Sequence, residues 1–246
     1  MNNMKRIVII GATSGIGQEV AKDFVRQGWK VGVAGRRLSA LEEFRSFNPS
    51  QIEIQQLDVT SKDAPEKLHE LIDKMGGMDL FLQSSGIGSQ NMSLNPEIEI
   101  NTAKTNVEGF IRMITTAFNY FRQQDEGHLA VISSIAGTKG LGAAPAYSAT
   151  KRFQNTYIDA LAQLSRMEHL NIRFTDIRPG FVATALLKDG NYPMLMKPDY
   201  AAKRIVKALK QKKRIAVIDW KYAILVFFWR MIPGWIWERM PVKNGK

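Results

Sequence analysis

An unbroken apolar run, Ile7-Val8-Ile9-Ile10, passes straight into Gly11-Ala12-Thr13-Ser14-Gly15-Ile16-Gly17, and no other stretch constrains the chain as strongly. Four apolar residues ending at a glycine read as a strand buried on both faces, which belongs in a parallel sheet with helices on each side. Gly11, Gly15 and Gly17 provide for a sharp strand-to-helix turn, backbone N–H groups open to phosphate, and a helix lying close to the strand. The spacing G-x-x-x-G-x-G differs from the commoner G-x-G-x-x-G yet meets the same needs. The ligand expected of such a turn is the pyrophosphate of a dinucleotide.

The same alternation continues down the chain. Strands are expected at 5–10, 30–34, 52–57, 80–83, 128–133, 172–177 and 214–219. Between them, helical periodicity covers 15–27, 38–47, 64–74, one long segment from Ile98 to Phe121, 147–169 and 200–210. Apolar strands alternating with amphipathic helices predict an α/β fold: a single-domain, doubly wound parallel sheet, Rossmann-like, with its ligand at the carboxyl edge. No repeat, low-complexity tract or Pro/Ser-rich linker divides the 246 residues, so residues 1–220 are expected to form one domain and 221–246 a basic, aromatic extension.

Composition excludes several function classes. There is no cysteine, hence no disulfide and no thiolate metal site. His69, His128 and His169 lack metal-ligand spacing and have no nucleophile-elbow serine beside them, which argues against a zinc site or a Ser-His-Asp hydrolase. The net charge of +11 suggests nucleic acid until it is located. Residues 1–202 hold 22 basic and 21 acidic side chains, net +1; residues 203–246 hold 12 and 2, net +10. The body is neutral and the charge sits beside tryptophans and an apolar run, so no nucleic-acid partner is expected.

Chemistry concentrates downstream of the glycines. Tyr147 and Lys151 form Tyr-x-x-x-Lys on one helix face, Ser134 lies thirteen residues before Tyr147, and Asn106 sits in Asn-Val-Glu-Gly. A free phenol titrates near 10 and is a poor acid at neutrality, so an adjacent ammonium is expected to lower the Tyr147 pKa. With the glycine turn and the run Pro179-Gly180-Phe181-Val182-Ala183-Thr184, these motifs resemble the short-chain dehydrogenase/reductase family over roughly residues 4–220. The resemblance implies Tyr147 as general acid/base, Lys151 on the nicotinamide ribose, Ser134 rather than its neighbour Ser133 on the substrate oxygen, and Asn106 holding a water of the proton relay. It implies Asp58 and Val59 at the adenine, Ser85 and Gly86 in place of the family's Asn-Asn-Ala-Gly, and Pro179, Gly180, Val182 and Thr184 along the nicotinamide, Thr184 opening a substrate loop that extends to Lys197. A homodimer or homotetramer is expected on the same ground.

Cofactor choice is readable from the second strand, where a site for NAD usually places an acid near the ribose 2′-OH. Here the position reads Ala34-Gly35-Arg36-Arg37, which predicts NADP(H), with Arg36 on the 2′-phosphate and Ser14 or Arg37 assisting. The expected reaction is reduction of a ketone to a secondary alcohol, or its reverse, on a hydrophobic or lipid-like substrate; a non-catalytic dinucleotide sensor or scaffold is the alternative. The tail departs from acyl-carrier-protein reductases that end in Asp-Gly-Gly. Its run Tyr222–Trp229 is eight residues, too short to cross a bilayer. Next to so many cations, it reads as an interfacial anchor on anionic lipid, or as aromatics packed on the fold, on a partner subunit or over the substrate cleft. The expected location is cytoplasmic, with peripheral contact at the inner membrane face.

Overall fold

The computed structural model describes residues 4–187 and 192–242. In chain order the elements are β1 (Arg6–Ile10), α1 (Gly15–Arg26), β2 (Lys30–Gly35), α2 (Leu38–Ser46), β3 (Ile52–Gln56), α3 (Ala64–Met75), β4 (Leu80–Gln83), α4 (Pro96–Ala103), α5 (Phe110–Gln124), β5 (Glu126–Ile132), α6 (Pro145–Met167), β6 (Asn171–Pro179), α7 (Pro198–Lys210), β7 (Ile215–Ile218), α8 (Trp220–Met231) and α9 (Gly234–Trp237). All strands pair in parallel, in the order β3-β2-β1-β4-β5-β6-β7. The chain winds outward from β1 to β3, then returns to the other side of β1, so the ends of β1 and β4 flank the switch point where a ligand fits.

Side-chain alternation divides the core as a doubly covered sheet requires. Ile7, Ile9, Val31, Val33, Leu80 and Leu82 face the layer built on α1, α2 and α7. Val8, Ile10, Phe81, Leu129 and Val131 face α3, α5 and α6. Each strand therefore buries both faces, which is why the strands read as continuous apolar runs rather than alternating ones.

One segment differs from the sequence expectation, and another takes one of its alternatives. The long helix expected from Ile98 to Phe121 starts earlier, at Pro96 behind an Asn95 cap whose side chain accepts the Glu97 N–H, and is interrupted by a π-helical stretch at Lys104–Gly109. The π-turn widens the helix at Asn106, whose side-chain amide is drawn off to the backbone of Ile87. The extension beyond β7 is helical, and Tyr222 and Val226 of α8 belong to the core layer shared with α1 and α7. Among the described residues no helix is long and apolar enough to cross a membrane. The substrate loop expected from Ala183 to Lys197 falls partly on residues 188–191, outside the described residues.

His128 on β5 is buried, with Nε2 2.8 Å from Thr175 Oγ1. Burial, aided by Lys212 and Arg173, pushes its pKa from 6.5 down to about 4. Between those values the unfolded chain holds a proton that the folded chain does not. Stability from this site is therefore full above pH 6.5 and lost as pH falls toward 4, by on the order of 3 kcal/mol. Melting curves from pH 7 to pH 4 should show this loss, and His128→Gln should flatten it.

Candidate active site

The glycine turn joins β1 to α1 by backbone contacts that tolerate no side chain. Gly11 has φ +87°, and a Cβ there would stand 2.5 Å from the Ser85 nitrogen; one on Gly17 would stand 2.3 Å from the Gly11 carbonyl oxygen. Thr13 and Ser14 lead into α1, Ser14 extended as its N-cap with no side-chain cap hydrogen bond, and no acidic residue lies in the first turn. Ile16 is packed against the core and holds the helix down. The Thr184 methyl lies 3.3 Å from where a Gly15 Cβ would be, so the segment following β6 crosses directly over the turn. A backbone-lined cradle at a helix N-terminus, without a competing carboxylate, fits a pyrophosphate.

Beyond β2 the two arginines have different surroundings. Arg37 donates to the Thr13 carbonyl at 2.9 Å and so braces the turn. Arg36 is exposed; its carbonyl accepts from Gln56, and its guanidinium has no partner among the described residues. Asp58 accepts from the Thr60 N–H and hydroxyl, beside buried Val59. After β4, Gln83 donates to Ser85 Oγ at 2.7 Å, while Gln83 Oε1 is buried without a partner among the described residues. A Cβ on Gly86 would lie 3.2 Å from Asn106 Oδ1 and 3.4 Å from Lys151 Nζ, so this segment runs tightly past both side chains.

Ser134, Tyr147 and Lys151 converge. Ser134 follows β5, accepts the Ala136 N–H at 3.1 Å, donates to the Pro179 carbonyl at 3.4 Å and lies near enough to the Tyr147 phenol to favour its ionised form. Pro145 occupies the first turn of α6, so Tyr147 projects from the start of the helix and Lys151 lies one turn on. The structure separates the two candidate serines. Ser133 is tied to buried Asp176, which also accepts from Asn155 (2.8 Å) and Arg178 (2.8 Å); only Ser134 faces the phenol.

The expected electrostatics need correction. Burial dominates at Tyr147 and raises its pKa above the usual value, and the opposing influence is the Ser134 hydrogen bond rather than Lys151. The ammonium stands 5.8 Å from the ring centre and donates instead to the Ile132 carbonyl (3.0 Å) and Gln154 Oε1 (3.1 Å). Lys151 is itself pulled down to about 8 by burial, with the negative charge of Asp176 working the other way. Tyr147 is thus held as a protonated acid.

Gln154 went unnoticed in the sequence because a glutamine three residues past a lysine on a helix has no distinguishing signal. Here its amide is buried and links two groups: Oε1 accepts from Lys151, and Nε2 donates to the Asn106 carbonyl at 2.9 Å. That carbonyl thus has a side-chain partner, while the Asn106 amide fastens Ile87 and reaches Thr150 Oγ1 at 3.1 Å. Tyr222, the first residue of the apolar run in the extension, is one of the aromatics that pack on the fold. Its ring fills the space beside Gly180, where a Cβ would come within 2.2 Å of it. Its hydroxyl accepts the Phe181 N–H and reaches the Pro193 and Met194 carbonyls at 2.9 and 3.1 Å. Helix α8 thereby fixes Pro179–Gly180 and, through Phe181 and the short bridge of Val182 to Met196, both ends of the substrate loop.

Replacing Gln154 with Leu removes an acceptor that favours charged Lys151 and leaves the Asn106 carbonyl unpaired. The lysine pKa should fall below about 8, moving the alkaline limb of the activity profile to lower pH, with a stability loss of about 1–3 kcal/mol. Gln154→Glu, which places a carboxylate on the ammonium, should move the limb the other way; pH–rate profiles and melts of both variants distinguish this positioning role from a purely structural one.

The short chain dehydrogenase family model matches residues 5–193. An uncharacterized oxidoreductase of Myxococcus xanthus is 31% identical over 235 residues, covering 92% of each chain. Among solved structures, ElxO with NADP bound superposes with a TM-score of 0.79 at 21% identity, over 90% of this chain and 99% of that one. The 3-ketoacyl-(acyl-carrier-protein) reductase of Brucella melitensis complexed with NADH gives 0.78 at 23%, over 87% and 96%. The likeness of these structures is one of fold. With the family match over most of its length, the chain belongs to the short-chain dehydrogenase/reductase family of oxidoreductases.

Proposed function

We propose that the protein is an NADPH-dependent reductase that converts a ketone on a hydrophobic, lipid-like substrate to a secondary alcohol, or runs the reverse. The observation that carries this reading is the Tyr147 phenol, beside Ser134 and kept protonated by burial, with the Lys151 ammonium 5.8 Å from its ring centre. A dinucleotide-binding scaffold has no use for a poised proton donor.

The bound nicotinamide supplies hydride to the carbonyl carbon. Ser134 holds the carbonyl oxygen by donating its hydroxyl proton in a hydrogen bond. Tyr147 transfers its proton to that oxygen as negative charge develops there, leaving a phenolate, and Lys151 would orient the ribose. Preference for NADPH rests on the Arg36 guanidinium, unpaired among the described residues, and on the absence of an acid at the end of β2. The apolar substrate preference is supported by exposed Met194 and Leu195 on the loop that Tyr222 anchors.

Three measurements test the reading. NADPH should bind at least about tenfold more tightly than NADH, and Arg36→Ala should erase most of the difference; equal affinities in the wild type would remove the argument for the phosphate. Tyr147→Phe should cut reduction by roughly 10²- to 10⁴-fold while NADPH still binds. Reduction should also decline as pH rises through about 8, where Lys151 loses its proton. A Tyr147→Phe variant that keeps most of its activity on a long-chain ketone would exclude the phenol as the acid.

A further inference from the structure

Helix α8 has two apolar faces, and only one of them is covered. Tyr222, Val226 and Trp229 point inward: the first two are buried in the core, and Trp229 donates to Thr138 Oγ1 at 2.8 Å. On the opposite side, Trp220, Ile224, Phe227, Phe228 and Met231 recur at helical spacing in a stripe about 100° wide. Trp220, Phe227, Phe228, Met231 and, on α9, Trp235 are each 60–66% exposed. A lone exposed apolar residue needs no explanation, but a contiguous set of large ones does.

We propose that this outer face is a docking surface for an anionic lipid membrane. Cations border the stripe on both sides. At 100° per residue, Lys221 falls just beyond Phe228 on one flank and Arg230 on the other. Lys221 lies over the Trp220 ring at 6.0 Å and Arg239 over the Trp235 ring at 5.9 Å, the pairing of amphipathic ring and ammonium or guanidinium that suits a headgroup layer. Between residues 220 and 242, Lys221, Arg230 and Arg239 stand against a single acid, Glu238, so the segment carrying the stripe complements anionic headgroups. The same charge opposes burial against a second copy, because a symmetric contact would bring two such cationic surfaces together. With twelve residues, α8 is about 18 Å long, suited to lying in the interface and too short to span it.

The inner face gives the docking a structural consequence. Tyr222 holds the Pro193–Met194 side of the substrate loop. Trp229, the Ile232 carbonyl and Trp237 hold Thr138, Lys139 and Gly140 of the segment that follows Ser134. The α8–α9 segment therefore holds the Pro193–Met194 and Thr138–Gly140 segments on one side and presents the apolar stripe on the other. A docked protein would have both of these segments braced from the lipid side.

Flotation of the full chain with phosphatidylglycerol/phosphatidylcholine vesicles, and with phosphatidylcholine alone, tests the proposal. Wild type should bind the anionic vesicles, more weakly as salt rises. F227S/F228S should lower the partition coefficient by about a hundredfold or more, and K221E/R230E by at least about tenfold at low salt, with melting temperatures confirming that each variant is folded. Quenching of wild-type tryptophan fluorescence by brominated acyl chains reads insertion without any variant. A wild type that neither floats nor is quenched, or floats undiminished after F227S/F228S, overturns the proposal. So does a stable dimer that F227S/F228S converts to monomer, which would assign the face to a second copy.

Discussion

A lysine ammonium buried at the centre of the fold is the constraint around which the rest of the site is arranged. Lys151 is 5% exposed, and an unpaired charge at that depth would cost several kcal/mol. The structure meets it with the Ile132 carbonyl at the end of β5, the Gln154 amide on its own helix and the field of Asp176 from β6. These commitments extend outward. Gln154 requires an acceptor, which is the Asn106 carbonyl, and the helix accommodates this region by widening into a π-turn. Asp176 in turn requires donors, which Ser133, Asn155 and Arg178 provide.

That chain of dependencies explains the division of labour between adjacent serines. Ser133 serves the buried carboxylate and is unavailable to a ligand, whereas Ser134, one residue further along the extended strand end, points the opposite way and reaches the phenol. The same alternation that gives the sheet two cores thus separates a hydroxyl committed to a buried carboxylate from one on the side of the phenol.

The C-terminal helix performs a comparable separation. Its Tyr222 face completes the core and clamps the segment beside Gly180, so the extension is an integral part of the site's wall. Its other face has no role in the packing of the described residues. A contiguous stripe of large exposed apolar residues is a poor surface in water, which fits a contact surface.

Much of this was legible from local chemistry. The order of strands and helices follows from apolar runs and helical periodicity, and the glycine turn, the missing acid after β2 and the Tyr-x-x-x-Lys pair are set by residue type and short spacing. Such signals act over a few residues, and a linear reading detects them. What sequence could not supply were relations between residues far apart in the chain: that Arg37 is occupied by Thr13 while Arg36 has no partner among the described residues, that Gln154 reaches Asn106 across 48 positions, and that Tyr222 meets Gly180. The sign of the Tyr147 shift belongs to the same category, because desolvation depends on everything packed around the hydroxyl, not on the lysine one turn away. The amino-acid sequence determined the fold, the glycine cradle and the identity of the candidate site groups, since these depend on local backbone preference and side-chain chemistry. Only the tertiary structure decided which groups stay available, which are committed to one another and which face of the last long helix is left uncovered, since burial and pairing arise when distant segments pack together.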